Sequence, residues 1–110
     1  MNGLRIEDKE YYYDFSYYVN GLLIGKCCVF LKDYCLCDVE IEEPYQNQGY
    51  GTAMIKAVIE YMNNKPLWLF VYELNLRAIR VYEKCGFAVN KFEYNSWFGR
   101  NMYIMRLEVL

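Results

Sequence analysis

The chain of 110 residues contains no histidine. A Ser-His-Asp triad, a Cys-His nucleophile pair, a Cys2His2 zinc finger and a two-His-one-carboxylate iron site are therefore excluded. Proline and glycine are scarce, with two and seven residues, and 55% of the residues are hydrophobic, which excludes disordered, collagen-like and low-complexity classes. The composition predicts a folded protein, and the length predicts a single domain over residues 1–110.

An excess of basic charge and a long apolar run are also lacking. The 12 Lys and Arg residues face 14 Asp and Glu residues, so nucleic acid is disfavoured as the principal partner. The uncharged run 15–25 is too short to span a bilayer, and the N terminus lacks the basic and apolar regions of a signal peptide. We therefore expect a cytoplasmic protein with no membrane partner.

Cysteine is present in an odd number, and no pair has CxxC spacing. This pattern disfavours both a disulfide framework and a zinc site. We expect the five cysteines to be reduced thiols that act as small core residues, and we expect no bound metal.

The spacing of apolar residues predicts the order β-β-β-β-α-β-α-β-β. The first half is expected to hold strands at 4–6, 11–19, 22–31 and 34–41, with a hairpin turn at Asn20-Gly21. The second half is expected to hold a helix from Thr52 to about residue 63, a strand at 67–72, a helix between Asn75 and Gly86, and strands at 87–94 and 102–110. On the last strand we expect a core side made of Tyr103, Met105, Leu107 and Val109.

A glycine-containing turn joins the fourth strand to the first helix, with the sequence Gln46-Asn47-Gln48-Gly49-Tyr50-Gly51-Thr52. Backbone N–H groups at such a turn, together with the positive end of the helix, can hold a pyrophosphate without a basic side chain. A Walker A loop would need lysine at Thr52, and the dinucleotide-binding fingerprint would need glycine at Met54. The residues alone leave two interpretations open, an anion-binding loop or a tight turn.

Two motifs resemble the GNAT superfamily of acetyl-CoA-dependent N-acetyltransferases. Residues 46–51 resemble that family's [Arg/Gln]-x-x-Gly-x-[Gly/Ala] pyrophosphate loop. The later segment Asn75-x-x-Ala78-Ile79-x-x-Tyr82-x-x-x-Gly86-Phe87 resembles the family's second motif. Within the superfamily, Tyr45-Gln46 and Leu67-Trp68-Leu69 resemble the bacterial ribosomal-protein alanine N-acetyltransferases.

The resemblance implies an α/β fold with a mixed, mostly antiparallel sheet flanked by helices, and acetyl-CoA as the cosubstrate. It implies that the fourth strand separates from the fifth around residues 39–41, where free backbone groups would meet the pantetheine amides. It also implies that residues 47–52 cradle the pyrophosphate and that Asn75, as well as capping its helix, reaches the pantetheine arm. The expected cosubstrate-binding residues are Val39, Ile41, Gln46, Asn47, Gln48, Gly49, Tyr50, Gly51, Thr52, Asn75 and Tyr82.

The implied reaction is direct attack of an amine on the thioester, with the oxyanion stabilised by backbone groups near Ile41 and the departing thiolate protonated by Tyr82. The general base is not evident, because Phe70 stands where the ribosomal-protein enzymes carry a glutamate. Glu40 and Glu42 are the candidate substitutes, since they share a strand face if no bulge intervenes, and Glu73 is a further one.

The sequence departs from the family between its first two strands, where two helices are usual and residues 7–10 stand here. Either those helices are absent or the first predicted strand is spurious. Both cases leave one face of the sheet uncovered, from which we expect a homodimer and a wide acceptor pocket for a small amine or a peptide or protein N-terminus. The alternative function is a catalytically inactive module of this fold that binds acyl-CoA or a protein. A toxin-like enzyme acting on aminoacyl-tRNA is disfavoured by the acidic balance.

Overall fold

The computed structural model describes residues 2–108 as a seven-stranded sheet with two α-helices. The strands are β1 (Gly3–Asp8), β2 (Tyr12–Val19), β3 (Leu22–Phe30), β4 (Cys35–Ile41), β5 (Trp68–Tyr72), β6 (Phe87–Asn95) and β7 (Arg100–Leu107). The helices are α1 (Tyr50–Tyr61) and α2 (Leu76–Lys84), and a short 3₁₀ turn, Glu43–Tyr45, precedes α1. The predicted order of strands and helices is confirmed, as is the α/β fold class. Val109, predicted on the last strand, lies outside the described residues.

The first strand is genuine and is longer than the sequence predicted. β1 pairs with β2 in an antiparallel register from Gly3↔Tyr18 to Asp8↔Tyr13. Residues 9–11 alone connect the two strands, and the Lys9 amide closes the turn by donating to the Tyr12 carbonyl at 2.9 Å. Of the two alternatives that the sequence left open, the absence of the two helices between these strands is therefore correct.

The sheet order is β1-β2-β3-β4-β5-β7-β6, and every neighbouring pair is antiparallel except β4 and β5. The parallel pair is joined through the register pair Cys35↔Trp68, at the start of both strands. Within the described residues the two strands have no further register pair, so the backbone groups of β4 toward its carboxyl end have no partner in β5. This is the separation that the sequence interpretation expected around residues 39–41.

Both helices pack on the same face of the sheet. One buried cluster joins Met54, Ile55 and Val58 of α1 to Tyr82 of α2 and to the strand residues Phe15, Val29, Leu36, Leu69 and Met105. The strand members alternate with residues of the opposite face, as the period of two in a strand requires. In the structure described here, Cys27, Cys28, Cys35 and Cys85 are buried, Cys37 is half-buried, and all five are free thiols, as predicted.

The opposite face of the sheet carries no helix within residues 2–108. Its apolar residues neighbour one another across the strands through the register pairs Tyr12↔Phe30, Phe30↔Cys35, Cys35↔Trp68 and Phe70↔Ile104. We call this surface the open face. Phe30 and Phe70 on it are 41% and 48% exposed.

A β-bulge reshapes β4 just before its end. Lys26↔Glu40 and Cys28↔Cys37 are register pairs, so Asp38 and Val39 together oppose the single residue Cys27. Asp38 has a φ of 54°, in the left-handed region that Asp and Asn adopt more readily than other non-glycine residues. The bulge directs Val39 and Ile41 toward the helices, where both pack against the buried cluster.

No helix among residues 2–108 is both long and apolar enough to cross a lipid bilayer.

Candidate functional site

A cavity of about 360 Å³ opens where β4 separates from β5, on the side of the sheet that carries the helices. Three segments enclose it: the end of β4, the turn into α1, and one side of α2 from its N-cap Asn75 to Tyr82. Its lining residues are Val39, Glu40, Ile41, Tyr45, Gln46, Asn47, Gly49, Gly51, Thr52, Asn75, Arg77, Ala78, Val81 and Tyr82.

The turn into α1 presents its backbone amides to this cavity. Asn47 and Gly49 both have positive φ, at 62° and 86°, and Gly49 is the N-cap of α1. Within the described chain, the amides of residues 47–52 donate no hydrogen bond to another backbone group, and the first intrahelical bond is Ala53 N–H to the Gly49 carbonyl at 3.1 Å. Unpaired amides at the positive end of a helix form an anion-binding site.

The side chains of this turn hold its shape. The Gln46 Nε2 atom donates to the Ile41 carbonyl at 3.0 Å, and the Gln48 Nε2 atom donates to the Pro44 carbonyl at 3.0 Å. The rings of Tyr45 and Tyr50 meet edge to face with centroids 6.2 Å apart. The backbone is thereby fixed with its amides directed outward, although no charged side chain belongs to the turn.

A second helix N-terminus borders the same cavity. Asn75 caps α2, since its side-chain oxygen accepts a hydrogen bond from the Ala78 amide at 3.3 Å. Arg77 lies in the first turn of α2 and also lines the cavity. The positive ends of α1 and α2 therefore converge on one space, and they favour an anion there.

Tyr82 lies deeper in the cavity, two turns along α2 from Asn75. The residue is 9% exposed, and its ring packs against Phe87 with centroids 6.1 Å apart. Burial, with smaller contributions from Cys27 and Cys85, raises the pKa of Tyr82 to about 12. Every fully buried side-chain oxygen or nitrogen within residues 2–108 has a hydrogen-bond partner. The Tyr82 hydroxyl therefore either has such a partner or is accessible from the cavity that Tyr82 lines. It makes no hydrogen bond to any other described residue, so it is available to donate to a ligand.

The candidate carboxylates are placed differently from one another. Glu40 lines the cavity, whereas Glu42 lies beyond the end of β4, at the start of the 3₁₀ turn, and does not line it. The bulge at Asp38 precedes both residues. Glu73 accepts a hydrogen bond from the Asn101 side chain at 3.4 Å. The β5 position at which the ribosomal-protein enzymes carry a glutamate is occupied by Phe70, which lies on the open face.

The structure brings together nine of the eleven residues expected to bind the cosubstrate, since all but Gln48 and Tyr50 line the cavity. Those two side chains face the interior of the turn. Sequence reasoning missed Tyr45, Arg77, Ala78 and Val81 as lining residues. Helical spacing was an available signal for Ala78, which lies three residues after Asn75 and four before Tyr82, because residues three or four apart share a helix face. Val81 lies three residues after Ala78 and follows from it in the same way.

No group of three or more Cys, Asp or Glu side chains within residues 2–108 is arranged to hold a metal ion.

A comparison with protein families matches residues 3–87 to the acetyltransferase (GNAT) family. The chain is 31% identical over 109 residues to the ribosomal protein bS18 alanine N-acetyltransferase of Escherichia coli, covering 91% of this chain and 74% of that protein. It is 39% identical over 61 residues to the spermine/spermidine N(1)-acetyltransferase of Bacillus subtilis, which covers 51% of this chain and 40% of that protein. The chain thus spans less than half the length of that second relative. It belongs to the acetyltransferase (GNAT) family.

Solved structures show the same fold. The crystal structure of the Escherichia coli ribosomal-protein-S18-alanine N-acetyltransferase superposes with a TM-score of 0.74 at 28% identity, covering 89% of this chain and 69% of that one. An acetyltransferase of Bacillus subtilis, solved in complex with CoA, superposes with a TM-score of 0.80 at 15% identity, covering 94% and 80% of the two chains.

Proposed function

We propose that this protein is an N-acetyltransferase, which moves an acetyl group from acetyl-CoA to an amine by direct attack. The observation that carries the proposal is the cavity itself, where two helix N-termini, a turn with unpaired amides and a free strand edge meet beside a buried tyrosine. Family membership supports the same chemistry.

The cosubstrate would lie along the separation between β4 and β5. The amides of residues 47–52 would bind the diphosphate, and the free backbone groups near Val39 and Ile41 would pair with the amides of the pantetheine arm. Asn75 would contact that arm while it continues to cap α2. The same β4 backbone would donate to the oxyanion that develops when the amine attacks.

Tyr82 would donate a hydrogen bond to the departing sulfur. Because the pKa of Tyr82 is about 12, the phenol stays protonated at neutral pH and is always available as a donor. A thiol, with an ordinary pKa of about 8.5, is the stronger acid, so complete transfer from the phenol to the thiolate is unfavourable. The phenol would therefore stabilise the charge on sulfur as the C–S bond breaks. The proton that finally resides on the thiol comes from the attacking nitrogen, directly or through this hydroxyl.

Glu40 is our candidate for the group that takes a proton from the incoming amine. It is the one acidic residue that borders the cavity within the described chain, and Glu42 is not among the lining residues. The Glu40 side chain lies on the face of β4 opposite to those of Val39 and Ile41. Glu40 is exposed, so a water molecule between it and the amine is compatible with its position. Glu42 stays a weaker candidate for the same role.

The acceptor would be a small amine or the N-terminus of a peptide or protein. The names of the two curated relatives span both classes, polyamines in one and a ribosomal protein in the other. We also propose that residues 1–110 act as one domain, that the protein is cytoplasmic, and that the open face joins two copies in a homodimer. Five free thiols and the exposed apolar residues of that face support the last two statements.

Calorimetric titration with acetyl-CoA tests the proposed site without knowledge of the acceptor, and NADH serves as a control ligand that also carries a diphosphate. We expect saturable binding of acetyl-CoA and none of NADH. Absence of acetyl-CoA binding at millimolar ligand would overturn the proposal. Where binding is found, release of CoA thiol in the presence of a panel of polyamines and peptides then tests turnover.

The alternative is a module of this fold that binds acyl-CoA or a protein partner without turnover. The observation that favours it is that Phe70, not a carboxylate, stands on β5, while the one acidic residue bordering the cavity, Glu40, is exposed. Binding of acetyl-CoA without thiol release, across both classes of amine, would support this alternative.

A further inference from the structure

The charge of the cavity is carried by few groups. Among its lining residues, Glu40 and Arg77 alone have charged side chains. The turn into α1 has none, because residues 44–55 contain no Asp, Glu, Lys or Arg. At the first position of the turn, where the family pattern accepts arginine or glutamine, Gln46 stands, and its side chain is held by the Ile41 carbonyl. Among the residues that line this cavity, Arg77 is therefore the only one that can pair with a ligand as a cation.

Arg77 is placed unfavourably for a helix in isolation. It lies in the first turn of α2, where the positive end of the helix dipole disfavours a cation. No anion of the protein compensates for this within residues 2–108, where the ion pairs join Lys9 to Glu7 and Lys91 to Glu93. An unpaired cation at the positive end of a helix, on the wall of a cavity, is a local conflict that a bound anion removes.

CoA carries more negative charge than the turn into α1 can neutralise. Its diphosphate would be taken by the amides of residues 47–52 under the proposed function, and its 3′-phosphate, a dianion near neutral pH, would have no partner there. A guanidinium binds a phosphate through two parallel hydrogen bonds. We propose that Arg77 pairs with the 3′-phosphate and makes this site select CoA over 3′-dephospho-CoA. This inference rests on the proposed function.

The test is a comparison of two ligands on matched variants. Dissociation constants for CoA and 3′-dephospho-CoA are measured by calorimetry on the unmodified protein, on Arg77→Ala and Arg77→Lys, and on Arg80→Ala as the control. Arg80 is exposed on the next turn of α2 and does not line the cavity. Circular dichroism of each variant checks that α2 is intact.

We expect the unmodified protein and Arg80→Ala to prefer CoA by at least about tenfold, as charge-assisted hydrogen bonds allow. Arg77→Ala should lose that preference because its affinity for CoA falls while its affinity for 3′-dephospho-CoA stays the same. Arg77→Lys should keep part of the preference. The affinity of the unmodified protein for CoA should also fall more steeply with added salt than that of Arg77→Ala.

Three results would overturn the inference. In the first, Arg77→Ala binds both ligands as the unmodified protein does. In the second, the affinity of Arg77→Ala falls equally for both ligands, which would indicate that Arg77 binds the diphosphate that they share. In the third, the unmodified protein binds both ligands with equal affinity. Failure of the unmodified protein to bind either ligand would instead overturn the proposed function, so the two failures are distinguishable.

Discussion

Tyr82 shows how a single residue can be both a core residue and a functional one. Its ring belongs to the buried cluster, packing against Phe87, while its hydroxyl is free toward the cavity. The helix face that carries Ala78 and Ile79 explains the ring, but it does not explain a phenol at a position where phenylalanine would fill the same space. The free hydroxyl is the reason to assign the residue a chemical role.

The variant Tyr82→Phe isolates that role, since it removes one oxygen and keeps the ring. We expect turnover to fall at least about tenfold. This lower bound lies below the roughly 10²–10⁴ of a group that transfers a proton fully, because Tyr82 would act by donating a hydrogen bond. The affinity for acetyl-CoA, measured by calorimetry, should change little. Tyr61→Phe, on the exposed part of α1, is the matched control and should keep full turnover. Unaltered turnover in Tyr82→Phe would remove this residue from the reaction.

Several site residues could be predicted from the sequence because their backbone conformations favour particular residue types. Gly49 adopts a φ of 86° that glycine tolerates best, and Asn75 is a residue type that caps helices. Arg77 could not be predicted in this way, because the sequence does not distinguish it from any other exposed arginine on a helix. Its significance depends on which cavity it lines, and that is set by the packing of α2 against α1.

At the scale of elements, the strand and helix order followed from periodicity, because the pattern of core-facing residues differs between a strand and a helix. The bulge at Asp38 did not follow from it. An extra residue in β4 is set by its pairing with β3, and the sequence of one strand does not contain that pairing. The bulge matters for the site because it turns Val39 and Ile41 toward the cavity.

Gly25 of β3 fixes the position of the β4 end. A Cβ atom at this residue would lie 2.6 Å from the Ile41 Cδ1 atom and 2.8 Å from the Glu40 carbonyl oxygen. Since the second contact is with backbone, Gly25→Ala must push β4 away. We expect a loss of about 1–3 kcal/mol in the free energy of unfolding, measured by urea denaturation, together with weaker acetyl-CoA binding.

Gly51→Ala is the control for that variant, because its Cβ atom would lie at an ordinary 3.7 Å from the Ile41 Cγ1 and Val81 Cγ1 atoms. We expect this control to keep the stability of the unmodified protein, since alanine also suits a helix better than glycine. Equal stability of Gly25→Ala and Gly51→Ala would contradict the close approach of β3 to β4.

For the whole molecule, the open face predicts self-association. Sedimentation at micromolar concentration should show a dimer, and Phe70→Lys should shift it toward monomer by placing a charge among apolar residues. Phe70 is half-exposed, so the monomer fold should tolerate the lysine. Leu74→Lys is the control, since Leu74 is 87% exposed in the connection between β5 and α2. A strict monomer would contradict the proposed dimer.

The buried thiols predict a loss of stability in alkali. Burial raises the pKa of the Cys27 thiol from 9.0 to about 12, and it raises those of Cys28 and Cys37 to about 12 as well. Between pH 9 and 12 the unfolded chain releases protons that the folded chain retains, so the free energy of unfolding falls as the pH rises. The stabilising effect is complete below pH 9.

For Cys27 the expected slope is about 1.4 kcal/mol per pH unit within this window. Urea denaturation at pH 8 and pH 10.5, with a phosphine reductant to keep the thiols reduced, measures it. Cys27→Ala should show a shallower dependence on pH than the unmodified protein. A free energy of unfolding that stays constant over this interval would contradict the assigned burial.

The single register pair Cys35↔Trp68 also bears on how the molecule responds to its ligand. Through the sheet, the four-stranded amino-terminal half and the three-stranded carboxyl-terminal half are joined at that one rung. An extended pantetheine chain between β4 and β5 would hydrogen-bond to the strand edges there, and the bound ligand would then join the two halves of the sheet. A free ligand concentration of a hundred times the dissociation constant adds about 2.7 kcal/mol to the free energy of unfolding. Thermal denaturation is therefore itself a reporter of which acyl-CoA this chain accepts.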